Sequence, residues 1–254
     1  MAPSSPEIRI VATPADLYRA AAEEFARRAD AAVRDRGAFT VALSGGSTPR
    51  GLYEVLAGDG PPPFRQRVPW GRIHFFWGDE RHVPPDHPES NYRAAREALL
   101  SKVPVPPDHV HRIPAERPDA AQAAEEYART LREHFRLADG QWPRFDLVLL
   151  GMGPDGHTAS LFPGTPAVHE RERLACAPWV EKLRAHRITL SPPVLNHAAG
   201  VLFLVAGEDK AETLRAVLHG EVQPDRLPAQ VVRPIRGDLL WLVDQAAARC
   251  LPNP

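Results

Sequence analysis

Residues 146–163 read DLVLLGMGPDGHTASLFP. A buried apolar strand, Phe145 to Leu150, runs into three glycines, one acid and one histidine. Gly151, Gly153 and Gly156 let the backbone turn sharply and approach a ligand closely. Asp155 and His157 stand at the mouth of that turn, before a short helical stretch that Pro163 closes. In open α/β sheets ligands bind at strand ends. A histidine there titrates near neutral pH and can move a proton; the alternative is a structural histidine.

The three glycines spell GxGxxG, but a dinucleotide site also needs a long helix and an acid ending the next strand, about 20 residues on. Pro163-Gly164 cuts the helix short, and Glu170 and Glu172 lie in a charged stretch. No dinucleotide site is expected.

Outward from this run, strands and helices alternate. Thr13-Pro14 reads as an N-cap and first helical position, with Leu17, Ala21, Phe25 and Ala29 at helical spacing and Gly37 as the stop. FTVALS (39–44) is a strand, and Thr48-Pro49 starts a second helix. Residues 57–66 read as a loop, 72–78 as a strand, and the proline-rich segment to Ser90 as a loop. Ser90 caps a helix, and Pro118 opens a long one through Phe135. RITLS (187–191), GVLFLVAG (200–207) and DLLWLVD (238–244) supply further strands, with a helix after Gly207. The class is α/β: a single Rossmann-like domain over 1–254, its largely parallel sheet flanked by helices.

The bulk numbers exclude more than they select. The 254 residues are 43% hydrophobic and 25% charged, with a formal net charge of −1. Such a balance gives no footprint for nucleic acid or an anionic membrane, so any anion site must be local. No stretch approaches the ~18 apolar residues of a membrane span. The N-terminus has no signal-peptide pattern, and the two cysteines, Cys176 and Cys250, form no disulfide framework. A reducing cytoplasm is the expected compartment.

Four loops are expected to build one site. Ser44-Gly45-Gly46-Ser47-Thr48 joins a strand end to a helix N-terminus, a setting for phosphate or simply a tight turn with a Ser/Thr cap. Asp79, Glu80 and Arg81 follow the next strand, as site residues or a solvated charged loop. The Asp155–His157 turn is the third. Arg187 and Lys210 complete the set: a cation at a helix N-terminus is unfavourable unless an anion is bound beside it. His82 with His87, and His109 with His111, match no recognised metal spacing, and no metal is expected.

At these residues the sequence resembles the 6-phosphogluconolactonase family and, more distantly, the glucosamine-6-phosphate deaminase/isomerase group. SGGSTP, the Gly78-Asp79-Glu80-Arg81 motif with Ser90-Asn91-Tyr92, GMGPDGHTASLFPG, RITL and AGEDKA occur in the family's order. Deaminases look like DGH followed by IAFNEP, and carry Asp-Glu-Tyr where this chain has Asp79-Glu80-Arg81. The chain departs from the family at Leu183-Arg184-Ala185-His186, where a Lys-Pro-Pro-like run is common, and at Ser191.

The resemblance implies hydrolysis of 6-phospho-D-glucono-1,5-lactone to 6-phospho-D-gluconate in the oxidative pentose phosphate pathway, without a cofactor. His157 would be the general base, Asp155 its orienting carboxylate, and Arg81 with backbone N–H groups the oxyanion stabiliser. Ser44–Thr48, Arg187 and Lys210 would hold the phosphate, with Asp79, Glu80, Asn91, Gly153 and Gly156 also in the substrate site. A monomer or small homo-oligomer is expected, with functional coupling to glucose-6-phosphate dehydrogenase and no nucleic-acid or membrane partner. The rivals are a sugar-phosphate deaminase or isomerase on the same fold, and a non-catalytic sugar-phosphate sensor. The sensor is disfavoured because the chain has no spare N-terminal segment or basic patch for a DNA-binding unit.

Overall fold

A computed structural model describes residues 6–252. In chain order it has β1 (Glu7–Val11), α1 (Pro14–Arg36), β2 (Phe39–Leu43), α2 (Ser47–Ala57), α3 (Phe64–Arg67), β3 (Ile73–Trp77), β4 (Asp79–Arg81), α4 (Asn91–Ala95) and α5 (Ala120–Phe135). There follow β5 (Leu147–Gly151), β6 (Ala175–Cys176), β7 (Trp179–Val180), β8 (Ala185–Leu190), α6 (Pro192–Asn196), β9 (Gly200–Val205), α7 (Ala211–His219), β10 (Asp238–Asp244) and α8 (Gln245–Ala248). The architecture is α/β, a central parallel sheet in the order β1-β10-β9-β5-β2-β3 with helices packed on it.

Local chemistry accounts for the framework. Thr13 caps α1 by accepting from the Asp16 N–H at 3.2 Å, and Gly37 ends it at φ +81°, a conformation that costs glycine little. Leu17, Ala21, Ala22, Phe25 and Ala29 are buried, so one stripe of α1 faces the core. Strands β5 and β9 are apolar along their length because both faces are covered. One hydrophobic cluster runs from α1 through the parallel sheet to Ile188 and Leu190 of β8.

Several elements differ from the sequence reading. β1 was not foreseen; its alternating EIRIV pairs with β10 at the sheet edge. β4 lies in the segment read as a loop: three charged residues carry no strand signal, and pairing with β8 makes them one. RITL is likewise a strand, but β8 sits in a second, antiparallel sheet with β4 and β6, outside the parallel one. No helix follows Gly156. Thr158 Oγ1 instead donates to Gly151 O at 2.8 Å, Thr158 bridges to Leu161, and the Ser160 N–H donates to Thr189 Oγ1. Side-chain hydrogen bonds compete there with a helical turn. α2 begins at Ser47 with Gly46 as N-cap, α5 begins at Ala120 behind Asp119, and the loop at 57–66 runs into α3.

Parallel pairing aligns the strand ends. Leu43 lies beside Trp77, and Gly151 beside Leu204, so the segments after β2, β3, β5 and β9 leave the sheet along one edge. Two buried tyrosines hold that edge. Tyr53 Oη donates to Ser44 O and accepts from Ser44 N, while Tyr127 Oη does the same for Trp77. Burial raises both phenol pKa values, and each hydroxyl stays neutral to serve as donor and acceptor together. Among the described residues no helix is long and apolar enough to cross a membrane.

Tyr127→Phe strands the Trp77 N–H and C=O in the core, which costs about 1–3 kcal/mol. Chemical denaturation is expected to show that loss, and an unchanged midpoint would contradict the clamp.

Candidate active site

At the carboxyl edge of the sheet the chain encloses a cleft of about 340 Å³. Its floor is the loop after β2. Gly46 adopts φ +100° as the N-cap of α2, no side chain caps the helix, and its first turn carries no acid. The helix therefore opens toward the cleft with N–H groups that have no partner among the described residues and with the positive end of its dipole. Gly45 is required by close approach: a Cβ there would overlap the Asn91 amide.

The second wall is β4. Asp79 is buried and accepts from Ser160 Oγ at 2.7 Å and from Asn91 Nδ2 at 3.3 Å. Glu80 points the other way, as alternation along a strand requires. It is 2% exposed and accepts from the backbone N–H groups of Arg81, Asn91 and Tyr92 and from Ser90 Oγ. Burial raises its pKa against the pull of those donors. Glu80 thus ties β4 to the start of α4 and does not line the cleft.

Arg81 and Arg187 are direct partners across the β4–β8 pair. Like charges facing each other in a ladder repel. Among the described residues neither makes an ion pair with a carboxylate; Arg81 donates to Glu89 O and Arg187 to His186 O. Burial lowers the Arg187 pKa, and the Arg81 charge adds to the effect. Two half-buried guanidiniums without an ion-pair partner among the described residues can hold an anion between them. Lys210 also lines the cleft, its ammonium donating to Ala206 O at 3.1 Å and to Asp209 at 3.4 Å.

The third wall is the glycine-rich turn. His157 Nδ1 lies 2.5 Å from Asp155 Oδ1, and the imidazole stacks on Phe162 with centroids 4.2 Å apart. A Cβ on Gly153 would overlap that ring, so glycine is needed for the imidazole to lie against the backbone. Gly156, at φ +78°, turns the chain and packs on Leu227 and Thr213 outside the cleft. With Nδ1–H donating to the carboxylate, the neutral imidazole keeps Nε2 as its acceptor. Ala159, also lining the cleft, holds φ +47°, an uncommon conformation for a residue with a Cβ.

Lys182 was not foreseen. Its ammonium ion-pairs with Asp155 Oδ2 and lies 5.1 Å from the Phe162 ring centroid. Burial alone would raise the Asp155 pKa, but hydrogen bonds from His157 and Lys182 outweigh it and hold the carboxyl well below the usual range. The available signal was composition: in an arginine-rich chain only Lys102, Lys182 and Lys210 are lysine, and two of them line this cleft. Ser160 and Phe162 were also missed, within a motif read as a helix.

The structure therefore brings Ser44–Thr48, Asp79, Arg81, Asn91, Gly153, His157, Arg187 and Lys210 to one cleft. It leaves Asp155 behind His157, and Glu80 and Gly156 outside the lining.

A sequence model of the family described as glucosamine-6-phosphate isomerases/6-phosphogluconolactonase matches residues 12–241. A 6-phosphogluconolactonase of Synechocystis sp. is 45% identical over 220 residues, covering 87% of this chain and 88% of the relative. The 6-phosphogluconolactonase of Rattus norvegicus is 43% identical over 258 residues, covering 100% and 96%. Among solved structures, a 6-phosphogluconolactonase from Trypanosoma cruzi superposes with a TM-score of 0.85 at 30% identity, covering both chains completely.

Because the folded Asp155 carboxyl is held down, its pairing stabilises the protein above the ordinary carboxylate pKa, and that stability is lost as pH falls through the folded value. Lys182→Met is expected to move the Asp155 titration upward when followed by carboxyl-carbon NMR. An unmoved midpoint would show that the lysine does not set it.

Proposed function

The chain belongs to the glucosamine-6-phosphate isomerase/6-phosphogluconolactonase family, and on that footing we propose that it hydrolyses 6-phospho-D-glucono-1,5-lactone to 6-phospho-D-gluconate. It is a lactone-hydrolysing enzyme, and its substrate is a small phosphosugar. The observation that carries the assignment is one cleft holding a His–Asp pair together with two arginines that, among the described residues, make no ion pair.

In this reading the phosphate takes the place of the missing anion between Arg81 and Arg187. The open N-terminus of α2, the Ser47 and Thr48 hydroxyls and Lys210 complete its cradle. The position of Arg81 opposite Arg187 favours the phosphate over the oxyanion expected for it, because a shared anion removes their repulsion. Binding the remote phosphate fixes the lactone carbonyl against His157 and supplies orientation.

His157 Nε2 then removes a proton from water as the oxygen adds to the carbonyl carbon. Asp155 holds the ring in the required tautomer and stabilises the imidazolium, as the carboxylate does in a Ser-His-Asp triad. Backbone N–H groups of the glycine-rich turn face the developing oxyanion. Collapse breaks the bond from carbonyl carbon to ring oxygen, and the imidazolium returns its proton to that oxygen. No step calls for a cofactor. Lys182 keeps Asp155 ionised through the cycle.

The same reading treats the whole chain as one domain in a reducing cytoplasm, with Cys176 and Cys250 as free thiols. Functional coupling to glucose-6-phosphate dehydrogenase and a monomeric or small homo-oligomeric state belong to it too.

His157→Ala is expected to lower kcat about 10²–10⁴-fold with the fold intact. Near-normal kcat would remove His157 from the mechanism. Arg187→Ala and Arg81→Ala should each raise KM far more than they lower kcat, because a phosphate contact exists in ground and transition states alike. A selective fall in kcat for Arg81→Ala would return that residue to the oxyanion.

A further inference from the structure

We propose that His74, His111 and His134 form a binding site for a divalent transition metal of zinc type, outside the catalytic cleft. One ring nitrogen from each lies within 4.8 Å of the other two. The side chains come from three places: His74 from β3, His111 from the segment before α5, and His134 from the last turn of α5. Sequence spacing hid the group, since its three members lie 37 and 23 residues apart along the chain.

The geometry suits a metal. His74 Nδ1 and His111 Nε2 are 3.2 Å apart. Two ligands about 2.0–2.1 Å from a tetrahedral zinc stand roughly 3.3 Å from each other. Small side-chain rotations bring His134 to the same centre. Imidazole-only donor sets select zinc, cobalt, nickel or copper over magnesium and calcium, which need oxygen ligands.

The surroundings fit as well. Among the described residues, no carboxylate or carbonyl pairs with any of the three rings, and their mutual contact is their one hydrogen bond. His109 lies tilted against His74 with ring centroids 3.9 Å apart, and among the described residues its buried Nδ1 has no partner. Phe76 stacks on His111 at 4.4 Å and also contacts His134 edge-on, giving the rings an apolar wall. A bound cation would satisfy three half-buried nitrogens at once. It would also tie β3 to the segment over residues 109–113 and to the end of α5. A solvent molecule or His109 would take the fourth position. His74 lies toward the start of β3, whereas the catalytic loops leave the strand's other end, so the site is a structural tether independent of the proposed catalysis.

The test is Co²⁺ and Zn²⁺ titration of chelator-treated full-length protein, reading Co²⁺ visible absorption and thermal stability. Wild type should bind one equivalent with tetrahedral absorption and gain in Tm. His157→Ala, which removes the cleft imidazole, should bind equally well. His134→Gln and His74→Gln should weaken binding by at least about tenfold, since loss of even an outer partner costs 10–100-fold. Both should keep native circular dichroism and lactonase activity. Absence of binding by folded wild type would overturn the proposal. So would binding lost in His157→Ala but retained in both glutamine variants.

Discussion

Parallel pairing of β2, β3, β5 and β9 is the constraint on which the site depends. It delivers four strand ends to one edge, and each of the four following segments contributes a different chemistry. The segment after β2 gives a helix N-terminus, that after β3 the acid–arginine strand, that after β5 the His–Asp turn, and that after β9 a lysine. Tyr53 and Tyr127 fix two of the strand ends by engaging both polar groups of one backbone residue. Each is a buried hydrogen-bond pair whose loss would leave orphan groups, so the edge is rigid before any ligand arrives.

Charge is arranged on this frame by pairing some groups and withholding partners from others. Asp155 has two cationic or donating neighbours, Glu80 has four donors, and Asp79 is held by Ser160 and Asn91. Arg81 and Arg187 face each other, and among the described residues neither ion-pairs with a carboxylate. The acids of the cleft shape loops and orient one imidazole, while among the described residues the two arginines have no ion-pair partner. That asymmetry leaves a nearly neutral chain with local positive charge in the cleft.

Much of this was legible in the sequence. β5, β9 and β10 announce themselves as apolar runs, α1 as a capped amphipathic stretch, and the glycine-rich turn by its composition. The unread parts share a physical cause: they depend on tertiary partners. Asp79–Arg81 becomes a strand only beside β8, and residues 158–162 turn because Thr158 and Thr189 bond the backbone. Glu80 reads as a site acid, yet alternation along β4 sends it to the far side from Asp79 and Arg81. Lys182 lies outside the quoted motifs, just before the segment where the chain departs from the family's pattern, and meets Asp155 only in the fold. The histidine cluster was invisible for the same reason, since its members meet only in the fold.

The central claim is that a phosphate-anchored lactone is hydrolysed in this cleft. The most direct measurement compares opening of freshly generated 6-phosphogluconolactone with that of unphosphorylated gluconolactone, each corrected for its spontaneous rate. The account requires strong acceleration of the phosphorylated lactone and a far lower kcat/KM for the other. Spontaneous-rate opening of both, or equal acceleration of both, would contradict it.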